Sequence, residues 1–357
     1  MHKTLNLKKN VFFLAAALLL LAACNKPPQI HHYQFLAFGT LIDFTVSGVE
    51  QTKAEQAFNL IKDDFSYMHK NWHAWEPGSL GRVNQLIATG ATFTTSPGLL
   101  QLIQEAKTLA RASNHLFNPA AGKLISLWGF HGTEAETWQE PKPNDIKKLV
   151  SSNPSMDDLV IKGTEITSLN SDVQLDFGGF AKGYGIDIAI QRIKNLGIEN
   201  AILNAGGDLR VIGSKQKNTP WVIGLRDPFS DDIVATLNIN HDESVFTSGV
   251  YERNFTTTQQ GKEKIRHHIL NTRTGYPAEG ISSVTVIHSS AAVADAAATA
   301  LLIADNNEWR DVAQRMGIKH VLRMSDTGHL SMSKSMVKKL RFRDDNALSN
   351  ATIVTLK

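Results

Sequence analysis

The stretch DFGGFAKGYGID, residues 176–187, leads from an aspartate through two glycines into an amphipathic segment. Apolar residues follow at helical spacing, namely Ile186, Ala189, Ile190, Ile193 and Leu196. The pattern predicts a helix over 180–196, with Gly178 and Gly179 at its entrance and Lys182 in its first turn. Free backbone N–H groups and the positive end of the helix dipole attract anions there, and lysine adds a full charge. The stretch favours a phosphate site, although an ordinary helix start has the same pattern.

Around this helix, predicted helices and strands follow one another without a regular alternation. Further helices are predicted over 54–69, 97–112, 291–304 and 306–316. Strands are predicted as a pair over 35–46 with a turn at Gly39, as three short strands over 158–176, and over most of 200–290. Because a doubly wound sheet requires regular strand-helix alternation, we predict an α+β fold with mixed sheets and interleaved helices.

The first 23 residues have the pattern of a secretory signal. Three lysines and no acidic residue precede the apolar run 11–23, which is too short to span a bilayer as a stable helix. The run ends in LAAC at 21–24, which resembles a bacterial lipoprotein signal and implies cleavage before Cys24 and lipidation of that residue. A lone buried cysteine beside an uncleaved anchor is the alternative. We predict a signal peptide over 1–23, a tether over 24–34 and a folded domain over 35–345.

Charge and composition restrict the class of partner. Removal of the signal peptide removes three lysines and lowers the formal net charge from +3 to 0. A neutral chain is not expected to bind nucleic acid, which requires clustered lysine and arginine. With 42% hydrophobic residues, the chain is long enough to bury a large core.

Two side chains of the 291–304 helix are candidates for binding a metal. Asp295 and Thr299 lie four residues apart, so a carboxylate and a hydroxyl project from one face among alanines. Such hard oxygen ligands suit Mg²⁺. The alternative is a tightly packed alanine helix in which Thr299 bonds to its own turn and Asp295 is exposed.

Other motifs carry weaker signals. His268, in HHILNTRTGYP at 267–277, could move a proton near neutral pH, although a lone histidine is more often a surface or core residue. The TSG triplet at 247–249 places hydroxyls beside a glycine, a combination that suits a phosphate group but is a weak signal alone. Trp72 and Trp75 precede a Pro-Gly turn, where an aromatic side chain could stack on a ring or belong to the core.

Seven ordered blocks together carry a family resemblance that no single motif supplies. They are FGT at 38–40, FNPAAGKLISLWGF at 117–130, DFGGFAKGYGID at 176–187, NAGGDLRVIG at 204–213, TSGVYERNF at 247–255, HHILNTRTGYP at 267–277 and VTVIHSSAAVADAAATAL at 284–301. This order, which spans about 38–301, resembles the ApbE family of FAD:protein FMN transferases. The resemblance implies an α+β domain that binds FAD and Mg²⁺ and moves FMN onto a threonine or serine hydroxyl of another protein, with release of AMP.

The resemblance also implies roles for individual residues. Contacts with FAD are implied for Phe38, Trp75, Leu116, Phe117, Asn118, Asp176, Lys182 and Leu270. Metal contacts are implied for Asp295, Thr299 and the backbone of Gly179 and Ala298. Catalytic roles are implied for Lys182, which would neutralise charge on the pyrophosphate, and for His268, which would act as a base or position phosphate. Some relatives have an aspartate where this chain has Ala298, which leaves one carboxylate fewer here.

Two other functions compete with flavin transfer. A Mg²⁺-dependent FAD pyrophosphatase would use water in place of the protein hydroxyl, and the aromatic residue Trp75 favours transfer over it. A flavin-binding lipoprotein without turnover would not need Asp295, Thr299, Lys182 and His268 together. By family analogy, the acceptor is a membrane redox subunit with exported loops. The lipid anchor would place the protein at the bacterial cell envelope facing the periplasm, with the inner membrane preferred.

Overall fold

The structure, a computed structural model, describes residues 29–132, 138–217, 219–259, 261–344 and 346–356. The predicted signal peptide 1–23, Cys24 and positions 25–28 of the predicted tether lie outside these ranges. Across the described ranges, none of the helices combines the length and the apolar character needed to cross a bilayer.

The helices bury apolar stripes whose members recur every three or four residues. On the longest helix, Ala57, Ile61, Phe65 and Met68 are buried on one face. The helices of the described residues are α1 (Gln51–Trp72), α2 (Ser79–Thr89), α3 (Pro97–Ala112), α4 (Gly122–Leu127), α5 (Pro143–Ser152), α6 (Ala181–Asn195), α7 (Ala291–Ile303), α8 (Trp309–Arg315) and α9 (Lys334–Val337).

The strands form one large sheet and several small ones. In chain order they are β1 (Ile30–Ala37), β2 (Thr40–Ser47), β3 (Phe93–Thr94), β4 (Leu159–Lys162), β5 (Glu165–Ser168), β6 (Ala201–Ala205), β7 (Asp208–Ile212), β8 (Trp221–Arg226), β9 (Ile233–Ile239), β10 (Glu243–Gly249), β11 (Asn254–Gln259), β12 (Lys262–His267), β13 (Leu270–Asn271), β14 (Tyr276–Pro277), β15 (Ile281–His288), β16 (His320–Ser325), β17 (Leu330–Ser333), β18 (Leu340–Phe342) and β19 (Thr352–Val354).

The large sheet has nine strands in the order β1-β2-β6-β7-β10-β15-β16-β17-β19. Neighbouring strands pair antiparallel, except for β17 and β19, which are parallel at one edge. Two three-stranded sheets, β18-β9-β8 and β3-β5-β4, and the hairpins β11-β12 and β13-β14 complete the described strands. The predicted α+β fold class is confirmed.

The two faces of the nine-stranded sheet are covered differently. Helices including α1, α3, α6 and α7 cover one face, where Phe44, Leu203 and Val286 join a large apolar core. The sheet β18-β9-β8 covers the other face, against Val211 and Leu322. Because the central strands carry apolar side chains on both faces, the sheet is buried on both sides.

Helices α6 and α7 are joined closely where they begin. A Cβ atom at Gly183 of α6 would lie 2.6 Å from the carbonyl carbon of Ala291 and 2.9 Å from the nitrogen of Ala292. Asp187 of α6 also accepts hydrogen bonds from the backbone N–H groups of Ala291 and Ala292, at 2.8 and 3.1 Å. These contacts bring the glycine-rich motif and the alanine helix together, as the candidate site requires.

Both predicted ends of the domain need correction. Strand β1 begins at Ile30, so residues 30–34 of the predicted tether belong to the sheet, and their alternating burial is that of an edge strand. Strand β19 pairs with β17, so the fold continues beyond the predicted end at 345. In each case pairing with a neighbouring strand extends the sheet into a segment whose local sequence does not predict a strand.

Two features between 78 and 176 differ from the sequence-based prediction. Helix α2 was not predicted, although Leu80, Val83 and Ile87 are buried at helical spacing. Only two of the three strands predicted over 158–176 form. Near the third, Gln174 makes an isolated bridge with Ala121 instead.

Candidate functional site

Lys182 meets a carboxylate that the sequence did not single out. Its Nζ atom lies 2.6 Å from Oδ2 of Asp208, which begins β7 after a turn through Gly206 and Gly207. Asp208 is 7% exposed. The pair holds the pKa of Lys182 above its ordinary value, since the negative charges of Asp208 and Asp295 outweigh the effect of burial. Lys182 is therefore a permanent positive charge at the entrance of α6. Asp208 stands in the NAGGD block, but its pairing with Lys182 is tertiary and no local pattern predicts it.

Asp295 lies inside the protein rather than on an exposed helix face. It is 5% exposed, and its Oδ2 atom accepts a hydrogen bond from the backbone N–H of Gly183 at 2.9 Å. Burial raises the pKa of Asp295 to about 7, with Lys182 opposing and Asp208 reinforcing the rise. The alternative of an exposed Asp295 is wrong.

Thr299 and Gly179 face each other in the cleft between the start of α6 and α7. A Cβ atom at Gly179 would lie 3.4 Å from Oγ1 of Thr299, so the glycine backbone approaches that hydroxyl directly. The Thr299 hydroxyl also lies 3.3 Å from Oγ of Ser248, in the TSG triplet. The structure therefore brings together the glycine entrance of α6, one face of α7 and the end of β10.

The cleft contains three acidic residues close to Lys182. Besides Asp208 and Asp295, it includes Glu252, whose pKa is raised by burial, with Lys182 opposing that rise and Asp208 adding to it. Arg253 and Arg226 also oppose the rise, so Lys182 is not the only positive charge near these acidic residues. Glu252 lies inside the TSGVYERNF block, but nothing local in that block predicts its place beside Lys182.

The oxygen donors of the cleft fit a hard divalent cation. Among the described residues, no three His, Cys, Asp or Glu side chains cluster as a metal site. Asp295 nevertheless supplies a buried carboxylate, and Thr299 a hydroxyl that faces the Gly179 backbone. Ala298 is buried and could contribute only its backbone. Such a partial oxygen set suits Mg²⁺, which keeps several waters and takes the remaining ligands from substrate phosphates.

His268 presents a neutral ring. Its backbone N–H donates to the carbonyl of Arg253 at 3.0 Å, and its Nδ1 atom lies 3.3 Å from the same oxygen. Because a carbonyl only accepts, Nδ1 carries the proton and Nε2 is left with a free lone pair. The ring is partly accessible but lies deep among protein atoms, and this burial, followed by the charge of Arg253, lowers the pKa of His268 to about 3.

Trp75 and Asp176 are joined beside the turn that opens α6. The indole Nε1–H of Trp75 donates to Oδ2 of Asp176 at 2.8 Å, and Oδ1 accepts from the backbone N–H of Gly178 at 2.8 Å. Trp75 also lies beside His131, with ring centroids 5.0 Å apart. The tryptophan forms one wall of a second, open cleft of about 790 Å³, which extends along α2 and is not lined by Lys182, Asp295 or Thr299. Trp72 is buried, so of the two tryptophans only Trp75 lines this second cleft.

Phe38 closes the turn between β1 and β2 with a positive φ of 52°. Its ring stacks near Trp72, at a centroid distance of 6.4 Å, and contacts Phe65 at 5.5 Å. A Cβ atom at Gly185 would lie 3.5 Å from the Phe38 ring. Phe38 is thus wedged between α1 and α6, half-buried beside the glycine-rich entrance.

The segment 116–118 packs against the site, whereas Leu270 belongs to a different apolar cluster. Leu116 and Phe117 are buried, and the Phe117 ring would lie 3.8 Å from a Cβ atom at Gly179. The Asn118 side chain donates to the carbonyl of Pro154 at 2.8 Å and accepts from the backbone N–H of Ala120, so its polar atoms already have partners. Leu270 is buried in a smaller cluster around Trp128.

Comparisons with known proteins identify the family to which this chain is similar. The chain matches the model of the ApbE family over residues 38–322. An FAD:protein FMN transferase of Rhodobacter capsulatus is 38% identical over 324 residues, which are 90% of this chain and 60% of that protein, so the chain spans about three fifths of its length. An FAD:protein FMN transferase of Klebsiella pneumoniae is 32% identical over 265 residues, which are 72% of this chain and 78% of the relative.

Solved structures show the same fold. The ApbE protein of Thermotoga maritima superposes with a TM-score of 0.78 at 30% identity, over 88% of this chain and 100% of that one. The flavin transferase ApbE of Vibrio cholerae gives a TM-score of 0.74 at 24% identity, over 88% of this chain and 100% of that one. Sequence, fold and the residues gathered in the cleft lead to one conclusion, which is that this chain belongs to the ApbE family.

Proposed function

We propose that this ApbE-family enzyme transfers FMN from FAD to a threonine or serine hydroxyl of an acceptor protein and releases AMP. The names of the relatives from Rhodobacter capsulatus and Klebsiella pneumoniae support the transferase activity. The observation that carries the proposal is the meeting of Gly179, Lys182, Asp295 and Thr299 where α6 begins against α7. That arrangement places a lysine ammonium group, which suits phosphate, close to oxygen donors for a cation.

The reaction breaks one phosphoanhydride bond and forms one phosphoester bond. The acceptor hydroxyl oxygen bonds to the FMN phosphorus of FAD, the bond from that phosphorus to the bridging oxygen breaks, and AMP leaves with the bridging oxygen. The hydroxyl proton passes to a base. Negative charge grows on the phosphate oxygens during this step, so nearby positive charge lowers the barrier.

Lys182 supplies that charge from the protein. Its ammonium group has three N–H donors, and the contact with Asp208 uses one of them. The other two remain for phosphate oxygens. The backbone N–H groups of Phe180 and Ala181 already donate to the carbonyl of Phe177, and that of Gly183 donates to Asp295, so we infer that Lys182 rather than the helix entrance holds the phosphate. Because its pKa is raised, Lys182 stays protonated throughout the physiological range.

His268 is the proposed acceptor of the hydroxyl proton. Its Nδ1–H bond to Arg253 leaves Nε2 unprotonated, so the ring can receive a proton without first losing one. A pKa of about 3 makes the free ring a weak base. An anionic pyrophosphate nearby would raise that pKa, which links proton acceptance to the presence of FAD.

Mg²⁺ is proposed to bind between α6 and α7, held by the Asp295 carboxylate, the Thr299 hydroxyl and the backbone of Gly179 and Ala298. When bound, Mg²⁺ would neutralise charge on the phosphate oxygens and so reinforce Lys182. The burial of Asp295, which raises its pKa to about 7, supports this assignment, because a cation would offset the cost of a buried carboxylate.

The flavin nucleotide is proposed to extend from the start of α6 toward Trp75. Trp75 offers a ring held in place by Asp176, and Phe38 offers an apolar edge beside the entrance of α6. Because the side chain of Asn118 is already hydrogen bonded, we infer that the 116–118 strip acts through its backbone. Leu270 supports the strand that follows His268 from the interior.

The lipoprotein assignment is also a proposal. The leader and LAAC at 21–24 support lipidation of Cys24, and with it a position at the cell envelope facing the periplasm, preferably on the inner membrane. An acceptor on a membrane redox subunit, as family analogy suggests, would then share that surface.

The decisive experiment incubates the protein with FAD, Mg²⁺ and a candidate acceptor. In-gel flavin fluorescence measures flavin bound to protein, and chromatography measures AMP and free FMN. Flavin on the acceptor with equimolar AMP supports transfer. Free FMN with AMP and no label would identify an FAD pyrophosphatase instead, whereas bound but unchanged FAD would identify a flavin carrier.

A further inference from the structure

Asp208 uses both carboxylate oxygens to connect Lys182 to the central sheet. Oδ1 accepts a hydrogen bond from the backbone N–H of Thr247 on β10 at 3.0 Å, and Oδ2 lies 2.6 Å from Nζ of Lys182. Asp208 itself begins β7, which pairs with β10. The carboxylate is therefore held by two neighbouring strands and points away from them toward α6.

Lys182 needs such a partner because another carboxylate competes for it. Its side chain is long and flexible, and Asp295 also attracts its charge. A lysine paired with Asp295 would cover the carboxylate that the metal is proposed to use. In the structure the two carboxylates have different partners. Asp208 contacts Lys182, whereas Asp295 accepts a hydrogen bond from the backbone N–H of Gly183.

We propose that Asp208 is a positioning residue that directs the Lys182 ammonium toward the substrate pyrophosphate and away from Asp295. This inference rests on the proposed transferase function. Asp208 is expected to touch neither the flavin nor the reacting phosphorus and to act only through Lys182. Its removal is therefore expected to matter only while Lys182 is present.

The test is a double-mutant cycle of four proteins: the parent, Asp208→Asn, Lys182→Met and the double variant. The asparagine oxygen can still accept from the Thr247 N–H, so this change removes the charge and keeps the contact with β10. Asp232→Asn is the matched control, because Asp232 pairs with Arg343 at 2.8 Å beside the sheet β18-β9-β8, on the opposite face of the nine-stranded sheet. Unfolding temperatures show whether each variant is folded, and Asp208→Glu replaces Asp208→Asn if the latter does not fold.

We expect Asp208→Asn to lower kcat/KM for FMN transfer at least tenfold in the parent and less than threefold in the Lys182→Met background. The control should stay within twofold of the parent. An equal loss in both backgrounds, or no loss in the parent, would overturn the positioning role. The Kd for FAD, measured by flavin fluorescence in the same four proteins, tests the same coupling without turnover. If the parent itself transfers no FMN, the proposed function fails, and the Kd values still decide the role of Asp208.

Discussion

The indole N–H of Trp75 donates to the carboxylate of Asp176 across 101 positions of the chain, at 2.8 Å. This bond fixes the wall of the cleft to the turn that opens α6, because the same carboxylate accepts from Gly178. The ring that would stack on the flavin and the turn that leads to Lys182 are thus held in one arrangement.

Replacement of Trp75 by asparagine is expected to shift the reaction from transfer toward hydrolysis. Loss of the ring removes a stacking contribution of about 1–3 kcal/mol and admits water to the phosphorus. The measurement is the ratio of AMP released to flavin bound on the acceptor at saturating FAD. Trp75→Phe keeps a ring but loses the bond to Asp176, so it should lie between the parent and Trp75→Asn. An unchanged ratio in Trp75→Asn would show that the tryptophan contributes only to binding.

Removal of the Asp295 charge is expected to abolish Mg²⁺-dependent transfer while the fold remains intact. Asp295→Asn can still accept from the Gly183 N–H, so packing between α6 and α7 is preserved. We expect at least a hundredfold loss of activity at saturating FAD, with an unfolding temperature close to that of the parent. A titration with Mg²⁺ after chelator treatment checks the assignment. Full activity of the variant in chelator-treated buffer would refute it.

His268 is expected to make the protein less stable as the pH falls below neutral. The imidazole pKa is about 3 in the folded protein and near 6.5 in an unfolded chain. The unfolded state therefore binds more protons between these values, and stability decreases as the pH falls through that window. His268→Gln removes this difference.

The unfolding temperature should thus fall less between pH 7.5 and pH 4.5 in His268→Gln than in the parent. His32→Gln, which changes an exposed histidine of β1, controls for the simple loss of an imidazole. Equal declines in all three proteins would show that the His268 ring does not have the lowered pKa.

A methyl group at Gly183 is expected to destabilise the fold. It would press against the backbone of Ala291 and Ala292, which cannot move aside as a flexible side chain can. Overpacking of this kind costs about 1–3 kcal/mol. Gly98→Ala is the matched control, because a Cβ atom there meets nothing within 4 Å, and we expect no loss of stability. Urea unfolding measures both variants, and equal midpoints would contradict the close approach of α6 and α7.

Replacement of Cys24 by serine is expected to leave an unprocessed or soluble precursor, because the serine hydroxyl cannot take the thioether-linked lipid. Membrane fractionation and gel mobility compare the variant with the parent. A variant that fractionates and migrates like the parent would refute the lipoprotein assignment.

Local patterns predicted much of the architecture. The apolar spacing behind Gly179 predicted α6 to within one residue at each end, and α3 occupies the predicted range 97–112. Such helices bury a periodic face, and that face is visible in the sequence. The resemblance across seven blocks then identified the ApbE family, which the family match over 38–322 confirms.

The remaining features depend on contacts between distant segments. Asp208 begins β7 directly after a plain glycine turn, and nothing local indicates that its carboxylate meets Lys182 on another element. The edge strands β1 and β19 likewise owe their structure to the strands they join. The sequence could also not show that Asp295 is buried, because an alanine helix with one aspartate fits an exposed face equally well.

The alanines of α7 restrict how this family member can diversify. The helix packs against α6, β10 and β15, and ten of its residues besides Asp295 are buried. A larger side chain at almost any of these positions would push Asp295 or Thr299 out of place. Substitutions that adapt the enzyme to new acceptors should therefore accumulate in peripheral segments such as the β11-β12 hairpin, where Ile265 is exposed. Directed evolution of the acceptor range should therefore randomise those segments and leave the residues at the contact between α6 and α7 unchanged.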